Sequence, residues 1–138
     1  MATGWLTSWL SAPKAFTWRW RPAAGILLNR FWSFPALTGW TSQDAFPRLL
    51  ADINNDGKAD IVGFGSSGVF DALATGGGGF GSPQADLQNF GTDPSAGGWS
   101  SQDLFPRALG DVTGDGRADI VGFASNGVVV AQAANLFG

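Results

Sequence analysis

Apolar residues fall in short runs along this chain, each closed off by polar or glycine-rich positions. Between residues 48 and 90 the runs are Arg48–Ile53, Asp60–Phe64, Val69–Ala74 and Gln84–Phe90. Their shortness, their β-branched and aromatic side chains and the glycine turns at Gly65–Gly68 and Gly76–Gly79 predict antiparallel strands. The junction of the first two runs is of another kind. There Asp52-Ile53-Asn54-Asn55-Asp56-Gly57-Lys58-Ala59-Asp60 sets oxygen-bearing side chains at positions 1, 3, 5 and 9 of a loop, with glycine at position 6.

The pattern recurs. Gly39 to Ala74 aligns without gaps to Gly98 to Ala133, a period of 59 residues. Gly39-Trp40-Thr41-Ser42-Gln43-Asp44-Ala45-Phe46-Pro47-Arg48 matches Gly98-Trp99-Ser100-Ser101-Gln102-Asp103-Leu104-Phe105-Pro106-Arg107. Leu28, Phe31 and Pro35 likewise match Leu87, Phe90 and Pro94. Four short strands per unit predict an all-β fold of β-propeller blades, joined by a Gly-, Ser- and Pro-rich connection that ends near Pro106. A generic meander or sandwich is the alternative. The expected divisions are 1–25, an aberrant segment; 26–91, a strand of a preceding blade plus a full blade; and 92–138, a blade without its fourth strand. Two blades cannot close a ring, because propellers use about four or more. Ile26–Phe31, aligned with a fourth strand, could complete the last blade within the chain or across a homo-oligomer and cover a bare edge.

Residues 1–25 break the pattern. Trp5, Trp9, Trp18 and Trp20 follow neither a helix nor a strand period. Back-translated and read two bases out of frame, with permitted synonymous codons, this stretch spells GDGLADIVAFGSKGVYVALATGGG. Residues 55–78 read NDGKADIVGFGSSGVFDALATGGG, identical at 18 of 24 positions. The segment therefore reads as a blade remnant translated out of frame, against the alternative of a genuine N-terminal strand; incompatible codons in the gene would reject the frameshift.

Composition narrows the function. The 21 glycines, seven tryptophans and eleven phenylalanines fit aromatic strands between glycine turns. A net charge of −3 argues against nucleic-acid binding, which needs a basic surface. The chain has no cysteine and no histidine, so disulfides, zinc–thiolate sites and Cys–His or Ser–His–Asp nucleophiles are excluded. No apolar run approaches the roughly 20 residues of a membrane span, and the N-terminus lacks the basic region of a signal peptide.

The acidic loops carry the most specific chemistry. A hard cation takes many oxygens, and a glycine allows the sharp turn that gathers them. The expected calcium ligands are Asp52, Asn54, Asp56, the Lys58 carbonyl and Asp60, and then Asp111, Thr113, Asp115, the Arg117 carbonyl and Asp119. An EF-hand is disfavoured, because position 12 is Gly63 or Gly122 instead of glutamate and the flanks are strand-like. Thr113 is a poorer ligand than Asn54, so the second loop is expected to bind more weakly. The competing reading is that these carboxylates cap turns by accepting from backbone N–H groups.

The D-x-N-x-D-G-x-x-D loop followed by a strand, with Phe80-Gly81 and Phe90-Gly91 nearby, resembles the FG-GAP/VCBS propeller repeats. More closely, the unit PRALGDVTGDGRADIVGFASNGVVVA is similar to blades of the Psathyrella velutina lectin-like propellers. The resemblance spans residues 26–138. It implies a calcium-containing ring with sugar sites between neighbouring blades, metal loops on one face and blade connections on the other. The implied ligand contacts are Trp40, Gln43, Asp44 and Arg48, and again Trp99, Gln102, Asp103 and Arg107, with Ser66, Ser67, Ser125 and Asn126 on the same face. An indole covers the apolar face of a pyranose while amide, carboxylate and guanidinium groups bond its hydroxyls. For the phenylalanines and prolines, packing is the preferred role.

A residue repeated in every blade suits multivalent binding better than one asymmetric active site, and no G-x-S-x-G, phosphate-binding or metalloprotease motif occurs. The expectation is a non-enzymatic, calcium-stabilised glycan-binding fragment. Its setting is expected to be extracellular, where millimolar calcium fills weak loops. A protein-binding adhesion scaffold and a remnant without function are the alternatives.

Overall fold

The computed structural model describes residues 40–137, all within one compact unit, Trp32–Gly138. Residues 1–25, expected to be an out-of-frame blade remnant, and the strand expected at Ile26–Phe31 lie outside the described residues. Four strands, β1 (Arg48–Ala51), β2 (Asp60–Phe64), β3 (Val69–Ala72) and β4 (Gln84–Leu87), form an antiparallel meander in chain order. A second meander holds β5 (Arg107–Gly110), β6 (Asp119–Ala124) and β7 (Gly127–Ala131). Register is the same in both: Arg48 stands opposite Gly63 as Arg107 stands opposite Gly122. The fold is all-β, with one blade-like sheet per sequence unit.

The first and third strands of each unit end sooner than their apolar runs do, and one side chain explains it in each unit. Asp60 is fully buried; its Oδ2 accepts from the Ile53 N–H (3.1 Å) and its Oδ1 from the Ala74 N–H (2.7 Å). Asp119 does the same with the Val112 and Thr113 N–H groups (2.9 and 3.1 Å) and the Ala133 N–H (2.8 Å). A carboxylate that takes backbone donors at the ends of the first and third strands stops the ladder there and satisfies donors that burial would otherwise leave unpaired. At the outer edge the β3–β4 register shifts between Val69 and Phe70, a bulge that leaves Asp86 without an opposite number.

The first strands of the two sheets, β1 and β5, lie side by side without sharing a ladder. Between the sheets runs one core of Ile53, Val62, Phe64, Val69, Phe90, Trp99 and Ile120. Phe90 rests 4.9 Å from Trp99, and Phe64 meets Phe90 edge-on at 6.3 Å. The connection that supplies Trp99 makes a short 3-10 turn at Pro94–Ala96 and is fastened to the β2–β3 turn by the Thr92 and Asp93 N–H groups, which donate to the Gly65 and Ser66 carbonyls. Connection and β2–β3 turn thus share one end of the strands, and the acidic loop occupies the other. After β7 the chain forms a single helical turn, α1 (Ala133–Leu136), whose Leu136 packs with Phe137 against the shared core. No helix among the described residues is long and apolar enough to cross a membrane.

Candidate functional site

At the acidic end, the first loop gathers oxygens. Carboxylate oxygens of Asp52, Asp56 and Asp60 lie within 4.8 Å of one another. Asp52 accepts from the Asp56 and Gly57 N–H groups (3.2 and 2.8 Å), while Asp56 accepts from the Lys58 N–H (2.9 Å) and pairs with the Lys58 ammonium at 3.2 Å. The Lys58 backbone bond, with help from the Lys58 and Asn54 side chains, holds the Asp56 carboxyl below the usual carboxylate range. Asn54 accepts from the Asp56 N–H at 3.2 Å. Asn55 takes the left-handed conformation at φ 63°, which the tight loop demands.

The second loop is arranged differently. Asp111 accepts from the Gly114, Asp115 and Gly116 N–H groups at 2.7–3.2 Å, and these bonds, that of Gly116 foremost, hold its carboxyl low. Thr113 turns its hydroxyl onto Asp111 and Asp119 (3.3 and 3.2 Å), so Asp119 Oδ2 already serves three donors. Asp115 accepts from the Arg117 N–H at 2.9 Å. Among the described residues, the carboxylate trio that converges is the one in the first loop. The two loops also touch: the Ala118 N–H donates to the Asp52 carbonyl at 2.8 Å, and Asn55 lies against Gly116.

At the opposite end, the repeated Trp-Gln-Asp-Arg set divides into two roles. Gln102 brackets the backbone of Arg107, donating to its carbonyl (2.6 Å) and accepting from its N–H (2.9 Å) and Nε (3.3 Å). Gln43 brackets Arg48 in the same way at 2.7, 3.2 and 3.2 Å. Arg107 is 1% exposed and reaches back into the first unit. Its Nη1 donates to the Phe90 carbonyl (2.9 Å), its Nη2 faces the Asp44 and Ala45 carbonyls (3.5 Å each), and its guanidinium lies 5.5 Å over the Phe64 ring. Burial draws its pKa down to about 10, against the opposing pull of the Asp44 charge, so it stays cationic at neutral pH. Arg48 has no such neighbours among the described residues; it is exposed and lies over Trp40 at 5.8 Å. Asp44 joins the two connections, its carbonyl accepting from the Gln102 N–H (2.6 Å) and its carboxylate from the Asp103 N–H (2.9 Å), and Asp103 is exposed.

The tryptophans sit on glycines. A Cβ on Gly122 would fall 2.5 Å from the Trp99 ring and 2.6 Å from Phe90, and one on Gly63 would fall 2.2 Å from Trp40. Position 12 of each loop, where a calcium sensor keeps its glutamate, is therefore the seat of an indole. Trp99, 5% exposed, forms a wall of a pocket of about 330 Å³ between the units. Phe105, Asn89, Ser125 and Asn126 complete it with Gly97, Gly98 and Ala124. Asn89 Oδ1 accepts from the Phe90 N–H (2.7 Å) and the Trp99 indole N–H (3.3 Å). Its Nδ2 donates to none of the described residues, which leaves two donors for an occupant. Of the expected contacts, the structure brings Trp99, Ser125 and Asn126 to one cavity, uses Gln43, Gln102 and Arg107 to hold the connections, and keeps Trp40, Arg48, Ser66 and Ser67 on the first unit. Asn89 escaped the sequence reading because the repeat puts Arg30 in its place.

No protein-family model matches the chain, and no curated protein does. Among solved structures, an Agrocybe aegerita lectin described by its recognition of non-reducing terminal N-acetylglucosamine aligns with a TM-score of 0.58 and 43% identity. The match covers 63% of this chain and 21% of the lectin, so the chain spans about a fifth of that protein's length. Over 63% of its length, then, this chain is similar in sequence and in structure to a carbohydrate-binding protein.

Proposed function

We propose that the chain binds glycans without enzymatic action, through the pocket at the junction of its two propeller blades, and that calcium in the acidic loops stabilises those blades. The observation that carries the reading is the pocket's make-up. One face is aromatic, from Trp99 and Phe105, and its rim offers the Asn89 and Asn126 amides and the Ser125 hydroxyl. A volume near 330 Å³ lies at the small end of the roughly 300–1,000 Å³ range of ligand sites, which suits a terminal sugar better than a chain interior. N-acetylglucosamine is the first candidate, by likeness to the Agrocybe aegerita lectin.

The first loop fits a hard cation. Asp52, Asp56 and Asp60 would hold it with Asn54 and the Lys58 carbonyl; the ion would neutralise carboxylates that otherwise repel one another. Asp111, Thr113, Asp115, the Arg117 carbonyl and Asp119 form the weaker counterpart. Filling from millimolar calcium suits an extracellular setting.

Isothermal titration of the chain, in calcium, with a disaccharide ending in N-acetylglucosamine tests the proposal. Saturable binding is expected, weakened about tenfold by Asn126→Ala, the cost of one hydrogen bond. An absence of binding to any sugar on a glycan array by a folded, calcium-loaded sample would reject it.

A further inference from the structure

The junction between the two units has two unlike faces. The first unit offers Ile53, Phe64 and Val69, all at most 1% exposed, together with the Asp44, Ala45 and Phe90 carbonyls. The second unit answers with Trp99 and the Arg107 guanidinium, which takes those carbonyls and lies over the Phe64 ring. The first is the trailing face and the second the leading face.

Because the units repeat at 59 residues, each carries both faces. Val112, Phe123 and Val128 are the second unit's counterparts of Ile53, Phe64 and Val69, and they are 57%, 46% and 60% exposed. Leu104, the counterpart of Ala45, is 67% exposed. On the other side, Arg48 is exposed where Arg107 is buried, and Trp40 is half-buried where Trp99 is buried. Three large apolar side chains in register with a covered core form a coherent face, unlike scattered exposed residues. An exposed guanidinium held upright by Gln43 has the same bracket that aims Arg107.

We infer that a second copy of this chain docks its leading face, Trp40 and Arg48, onto the trailing face of Val112, Phe123 and Val128. The contact repeats the internal junction, with the Arg48 guanidinium directed to the Phe123 ring and to the Asp103 and Leu104 carbonyls. Such a contact is head-to-tail, so each added copy leaves one face of each kind for the next, and growth stops where the rotation closes a ring. The proposal is independent of the sugar reading, since it rests on the blade faces alone.

Sedimentation equilibrium of the full chain in calcium tests it, with two single variants at exposed positions, Arg48→Glu and Val128→Asp. The wild type should gain mass with concentration beyond a dimer. Each variant alone should lose self-association at least tenfold, while an equimolar mixture of the two should form dimers and stop, because one intact face of each kind remains. Circular dichroism checks that each variant keeps its sheets; Phe123→Lys replaces Val128→Asp if the latter unfolds. A wild type that stays monomeric, variants that associate undiminished, or a mixture no larger than its parts would each overturn the proposal.

Discussion

At the residue scale, the same amino acid does different work in the two copies of the repeat, and burial decides which. Arg107 bonds three carbonyls and an amide inside the junction, so its removal strips partners from buried groups. Arg107→Ala should cost about 3 kcal/mol, whereas Arg48→Ala, at an exposed site, should cost less than about 1 kcal/mol in the monomer. Urea unfolding of both variants checks the contrast; equal losses would contradict it. Gly122→Ala should cost about 1–3 kcal/mol, because its methyl must displace Trp99 and Phe90, while Gly110→Ala, with open space around its Cβ, should be close to neutral.

Asp71 and Asp86 form an acid pair that nothing in the repeat foreshadows: Val130 stands at the position of Asp71, and Leu27 at that of Asp86. One oxygen of each is buried without a donor, and burial, reinforced by Asp71, raises Asp86 to about 7. Asp71 is raised too, by burial first and by the Asp60 charge. The folded pair therefore holds a proton that the unfolded chain releases near pH 4. Stability should fall as pH rises from about 4 to about 7 and level off above that. Asp86→Asn should flatten the slope; thermal melts in chelator, which removes any metal contribution, would show it.

Elements were the most legible level in the sequence. The strands β1 to β7 fall on the apolar runs, with β6 and β7 each reaching one residue further into their shared turn, because β-branched residues between glycine turns leave few other options, and the position-12 glycines removed the helix-flanked loop. What stayed hidden was long-range. That Asp60 and Asp119 would reach the third strand and clip the ladder needs three dimensions, and Asn89 reaches the pocket from a unit whose repeat does not share it. The glutamines read as surface contacts, since a side chain that brackets its own downstream backbone leaves no periodic mark. The loops predict a graded response. Calcium at about 100 times its dissociation constant should stabilise the chain by about 2.7 kcal/mol through the first loop. Asp56→Asn should remove most of the thermal shift and Asp115→Asn little of it; a melting temperature indifferent to calcium would refute the metal reading.

For the whole molecule, the shared core means that the sheets stand or fall together. Ile53, Phe64 and Phe90 from one unit meet Trp99 and Ile120 from the other, and the Asp52 carbonyl is bonded across to Ala118. The pocket between the units is a product of their contact, so its ligand should stabilise the pairing, and melting should stay a single transition in the sugar's presence.

Gly122 gives these scales a common constraint on how the protein can change. It is the twelfth position counted from Asp111 and also the floor on which Trp99 lies. A side chain there points at Trp99 and Phe90, so a carboxylate would evict the indole from the pocket wall without reaching the oxygens of the acidic loop. The strand that seats the tryptophan thus denies the loop the twelfth ligand a helix-flanked loop uses. Evolution toward a sensor by that substitution is closed while the strand stays.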